Sequence, residues 1–177
     1  HNTNQLCNSY SNKFYKLNNL KKIQDPMLEL GRFCVDPNYI DPKIIMTAWS
    51  AIRKLVEKNK IKFLFGCSSF IGTSIDRYLD CFKFLKTKYI APKKYNLYVK
   101  APKVFKFNNL INLNNFCLKK AKKNLPPLLS FYLNLGGWVS DHVVIDDDLE
   151  TMHVFTGLEV KEIPEKRLKF LYKINLN

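Results

Sequence analysis

Apolar residues along the chain fall into strand-like runs and helix-like stripes that follow one another. Residues 27–35 form a short apolar run that carries Glu29 and Arg32 and is interrupted by Gly31. That run predicts a strand, with the glycine marking a bulge or a close backbone approach. Asp41 and Pro42 then predict a helix start, an Asx N-cap followed by proline at the first helical position. Behind them Ile45, Trp49, Ile52 and Val56 recur at helical spacing and predict one buried stripe. Residues 61–70, IKFLFGCSSF, are almost continuously apolar, as in a strand buried on both faces. Strand, helix and strand in this order predict a right-handed crossover and a parallel pair.

The remaining pattern is less regular. Residues 1–26 are polar, with Tyr10, Phe14, Tyr15, Leu17 and Leu20 as anchors, and read as an irregular lead-in or a short helix ending near Asp25 and Pro26. Thr73 or Ser74 is placed to cap a second helix with Ile75, Leu79, Phe82 and Leu85 on one side. Residues 96–99 predict a short strand, and Asn114 or Asn115 caps a basic helix ending at Asn124. Residues 125–139, LPPLLSFYLNLGGWV, predict a proline-started apolar helix closed by Gly136 and Gly137. Residues 143–146 and 152–158 predict the last two strands, joined by an acidic turn, and residues 165–174 a final helical or extended piece. The expectation is an α/β (α+β) chain: one domain over residues 1–177 with its core in 27–163.

Composition narrows the class. A hydrophobic fraction of 46% and an aromatic fraction of 14% exclude a disordered chain. Five cysteines stand far apart without a CxxC pair, beside only three histidines, which argues against a zinc site or a disulfide framework. A reducing cytoplasm is the expected setting. The net charge of +14 is concentrated, with 18 basic and 3 acidic residues over 53–123. Such a middle third calls for a polyanionic partner: nucleic acid, an anionic membrane surface or an acidic protein. The aromatic residues hold apolar-periodic positions instead of alternating with the lysines as stacking platforms, so nucleic acid is the least expected of the three.

The stretch from 28 to 43 first reads as a strand feeding the positive end of a helix, a common phosphate-binding arrangement. Taken together, the segments ELGRFCVDP, FGCSSFIGT, LPPLLSFYLNLG and VIDDDLETMHVF, in this order, resemble the ornithine–acyl carrier protein N-acyltransferases. These are bacterial members of the GNAT superfamily, related to the acyl-homoserine-lactone synthases. The likeness runs from about residue 17 to about residue 163. It implies a GNAT fold, a mixed sheet in which two parallel strands splay apart and hold a pantetheine arm between them. It further implies transfer of a 3-hydroxyacyl group from acyl carrier protein to the α-amine of ornithine, with no resident cofactor. Family members carry further elements before the matched region, so the chain is expected to be N-terminally incomplete.

Roles follow from that resemblance and from chemistry. An ammonium must lose a proton before it attacks a thioester, and Glu29 is the candidate base. Arg32, with Ser68, Ser69 and Thr73, is a candidate for binding the amino acid and the oxyanion. Phe33, Cys34 and Val35 offer backbone donors to the pantetheine arm, and Lys43 meets its phosphate. Leu128, Leu129, Tyr132 and Trp138 are candidates for lining the acyl chain. The acidic carrier protein and an anionic inner-membrane surface are the expected partners of the lysine-rich face. Location is then cytoplasmic or peripheral on the inner membrane. Three rivals remain: another N-acyltransferase of the same fold with a different amine, a basic nucleic-acid module, and an inactive fragment.

Overall fold

The computed structural model describes residues 3–31, 38, 41–95, 97–113 and 115–173. Its centre is a mixed six-stranded sheet. The strands are β1 (Tyr15–Lys16), β2 (Met27–Glu29), β3 (Phe63–Ile71), β4 (Tyr98–Val99), β5 (Val104–Lys106), β6 (Trp138–Val139), β7 (His142–Asp146) and β8 (Thr151–Glu159). The sheet runs β2-β3-β8-β7-β5, with β6 also on β8, while β1 and β4 form a small antiparallel ladder of their own. β2 and β3 pair in parallel and every other pairing is antiparallel. The expected mixed architecture with one parallel pair is borne out.

The helix between β2 and β3, α1 (Pro42–Lys58), forms as its cap predicts. Asp41 accepts the Lys43 N–H at 2.8 Å, and proline occupies the first turn. Its stripe buries Trp49 and Val56 against Leu64 and Leu158 of the sheet. Four more helices follow: α2 (Leu79–Lys88), α3 (Leu118–Asn124), α4 (Pro127–Asn134) and α5 (Glu165–Lys173). α1, α4 and α5 cover one end of this face, and α2 and α3 cover the other around Phe70, Met152 and Val154.

Alternation along the strands sends Phe63, Phe65, Val144 and Phe155 to the opposite face. There the lead-in covers them. Residues 3–23 are a string of 3₁₀ turns around β1, burying Leu6, Tyr15, Leu17 and Leu20. This cover, and β5, are not foreseen in the sequence. The second helix starts later than expected: a 3₁₀ turn at Asp76–Tyr78 precedes Leu79, and Thr73 and Ser74 do not cap it. The expected proline-started helix closed by Gly136 and Gly137 is α4, and Trp138 beyond the glycines belongs to β6. Gly136, at φ +93°, turns the chain out of α4, and a side chain at Gly137 would collide with the Tyr132 carbonyl.

Where β2 leaves the sheet, the backbones come unusually close. Leu30 N–H donates to the Phe65 carbonyl at 2.7 Å, and a Cβ on Gly66 would overlap the Leu30 carbonyl oxygen. Only glycine fits at 66 with β2 in this place. Gly66→Ala is therefore expected to lower stability by about 1–3 kcal/mol, measured as the shift in a urea-unfolding midpoint.

Candidate functional site

Glu29 is the last paired residue of β2, opposite Phe65, while β3 continues six residues further to Ile71. The Glu29 side chain lies on the face covered by the lead-in. There its two oxygens accept the backbone N–H groups of Ser11 at 2.7 Å and of Tyr10 at 2.9 Å. Both donors belong to the start of the 3₁₀ turn Ser11–Lys13, so the carboxylate caps that turn and ties the lead-in to the sheet.

A row of polar groups shares this face. Phe65, Cys67, Ser69 and Ile71 alternate along β3, and Ser69 stands opposite His153 of β8. His153 in turn stands opposite Val144 of β7, and Thr151 stands opposite Asp146. Ser69 and Ile71 are exposed, so the row opens to solvent at its β3 end. Tyr10 crosses it, with its N–H on Glu29 and its hydroxyl donating to Asp146 Oδ2 at 3.4 Å.

His153 is buried beneath Phe14 and Tyr15, with the Tyr15 hydroxyl 3.1 Å from Nδ1. Burial pulls its pKa down to about 4, opposed in part by the Asp146 charge. The imidazole is thus neutral at pH 7. The same burial pushes the Cys67 thiol up to about 12, although the Ser11 hydroxyl lies 3.5 Å away. A thiol held protonated is no nucleophile, which argues against covalent catalysis through Cys67. His142, also buried, sets Nδ1 2.7 Å from Asp141, whose carboxyl is held below its usual range by that contact.

The other sequence candidates scatter. Ser68 points to the helix-covered face, where it accepts the Thr156 hydroxyl at 2.8 Å, away from Glu29. Thr73 lies exposed in the turn after β3, and Lys43 is exposed in the first turn of α1. Arg32, Phe33, Cys34 and Val35 lie outside the described residues. The four acyl-lining candidates fall in different parts of the core. Leu129 packs with Phe70 and Val154, while Leu128 and Tyr132 sit under α1. Trp138 stacks on Tyr95 across the sheet, its indole over Gly157. The Tyr132 hydroxyl is buried without a hydrogen-bond partner among the described residues, and burial raises its pKa.

Sequence reasoning names Tyr10 only as an anchor of the lead-in and assigns no role to Asp146 or His153. A signal was present: His142 and Asp146 on one strand, and Thr151 and His153 on the next, recur at even spacing inside apolar runs.

Comparison with known proteins agrees with the resemblance read from the motifs. Residues 1–50 match the family model for an acetyltransferase (GNAT) domain. The chain is 28% identical over 161 residues to the L-ornithine N(alpha)-acyltransferase of Rhodobacter capsulatus, covering 91% of this chain and 61% of that protein. It is 28% identical over 144 residues to the Brucella abortus enzyme of the same name, covering 81% and 51%. For the Rhizobium meliloti enzyme of that name the identity is 28% over 143 residues, covering 81% and 48%. The chain thus spans about half to three fifths of the length of these relatives. No solved structure matches it significantly.

Loss of the His153 shift has a measurable consequence. The group binds its proton more weakly folded than unfolded, so stability is unaffected above pH 6.5 and falls as pH drops from about 6.5 to about 4. The fall amounts to about 3 kcal/mol at most. His153→Asn is expected to flatten that limb of a stability-against-pH curve.

Proposed function

We propose that the protein is an N-acyltransferase acting on the α-amine of ornithine, with a 3-hydroxyacyl thioester on acyl carrier protein as donor. Two observations support the reading: the similarity to named ornithine acyltransferases, and the placing of Glu29 at the end of the parallel strand pair β2–β3. There β3 continues to Ile71 beyond the described length of β2, and in this reading the thioester arm lies beside it.

In this account Glu29 accepts a proton from the ammonium, directly or through water, and frees the nitrogen lone pair. The nitrogen attacks the thioester carbonyl, and the oxyanion is met by hydroxyl and backbone donors at the head of β3, Ser69 among them. Collapse forms the amide and expels the pantetheine thiolate, which takes up a proton. The activated acyl group arrives on its donor, so no resident cofactor is required. Among the described residues no helix is long and apolar enough to cross a membrane. The lysines concentrated over 53–123 suit docking of an acidic carrier protein and of an anionic lipid surface.

The test is thiol release from 3-hydroxyacyl carrier protein by the full-length protein, with and without ornithine. Release is expected to depend on ornithine and to fall about 10²- to 10⁴-fold in Glu29→Gln. Equal rates in mutant and wild type remove Glu29 from the chemistry. Salt-sensitive DNA binding without any transfer would favour the basic-module reading.

A further inference from the structure

Asp146 is a buried carboxylate without a cation. It is 6% exposed and accepts only two long hydrogen bonds, from the Tyr10 hydroxyl at 3.4 Å and from Leu149 N–H at 3.3 Å. Among the described residues no lysine or arginine pairs with it, although its neighbours Asp141 and Asp147 both have cationic or histidine partners. Burying a charge without compensation is costly, and such groups are normally paired.

Two further groups beside it lack partners among the described residues. Thr151, directly opposite Asp146 on β8, has a buried hydroxyl oxygen with no hydrogen-bond partner. His153, on the same face and diagonal to Asp146, is 1% exposed and has an unpartnered Nε2. The Tyr15 hydroxyl lies 3.4 Å from the His153 carbonyl as well as 3.1 Å from Nδ1. An ammonium bound here would select the tautomer in which the Tyr15 hydroxyl donates to the carbonyl, Nδ1 carries the proton and Nε2 accepts. A carboxylate, a hydroxyl and an imidazole lone pair are acceptors for the N–H groups of an ammonium.

The distance to Glu29 is set by one residue. Tyr10 holds Glu29 with its backbone N–H at 2.9 Å and Asp146 with its hydroxyl at 3.4 Å, so two donors one tyrosine length apart reach both carboxylates. The span suits a short diamino acid with one amine at each carboxylate. We infer that Asp146, with Thr151 Oγ1 and His153 Nε2, is the subsite that receives the distal ammonium of the amine substrate and selects a diamino acid over a monoamino one. This rests on the reading of Glu29 as the place of the reacting amine, and it names the specificity element of that same site.

The experiment is calorimetric titration of the full-length protein with ornithine and with norvaline, which lacks the distal amine. Wild type is expected to bind ornithine at least about tenfold more tightly, as for a hydrogen-bonded charge. Asp146→Asn, nearly isosteric, is expected to abolish that ratio by weakening ornithine alone. Thr151→Val is expected to reduce it partially, and circular dichroism checks that each variant folds. An unchanged ratio in Asp146→Asn, equal weakening of both ligands, or no ornithine binding by wild type overturns the proposal. Because the readout is binding, wild-type transfer by Glu29→Gln would overturn the base assignment while leaving the Asp146 result to be judged by its own ratio.

Discussion

One carboxylate holds the candidate site together. Glu29 accepts two backbone N–H groups from the lead-in, and so fixes the cover of the sheet to the end of β2. Without this contact, residues 3–23 would keep their buried anchors Leu6, Tyr15, Leu17 and Leu20 but lose their register against the polar row. The register matters because Tyr10 and Tyr15 each contribute a hydroxyl to that row, one at Asp146 and one at His153.

The row itself follows from the pleat. Glu29, Cys67, Ser69, His153, Thr151 and Asp146 lie on one face because parallel and antiparallel registers bring equivalent strand positions side by side. The opposite face is apolar and takes the helices. A shift of one residue in any pairing would exchange the two sets, so the close packing at Gly66 and the indole over Gly157 guard function as well as stability.

Much of this was legible in the sequence where local chemistry decides. The Asp41 cap, the Trp49 and Val56 stripe and the apolar run of β3 specify α1 and the parallel pair before any tertiary contact forms. Glu29 was found from the chemistry an amine requires, together with a family resemblance. Other features depend on register, which local pattern does not carry. Ser68 and Ser69 are adjacent and equivalent in sequence, yet the pleat sends one to Thr156 and the other to the face of Glu29. The glycines that end α4 are legible in the sequence, but the pairing of Trp138 with Gly157 of β8 beyond them is not. The lead-in has no helical or strand period because it is 3₁₀ turns held by tertiary contacts, so its anchors were legible but neither its turns nor the contacts of Tyr10 with Glu29 and Asp146 were.

The central claim is that the amine substrate binds where Glu29 and the lead-in meet. Amide chemical shifts of the full-length protein, followed during titration with ornithine, test it most directly. The account predicts that the largest changes fall on Tyr10 and Ser11, whose N–H groups the Glu29 carboxylate holds, and that Glu29→Gln suppresses them. Changes confined to the basic cleft around Lys22, Lys62 and Lys94, at the other end of β3, would contradict it.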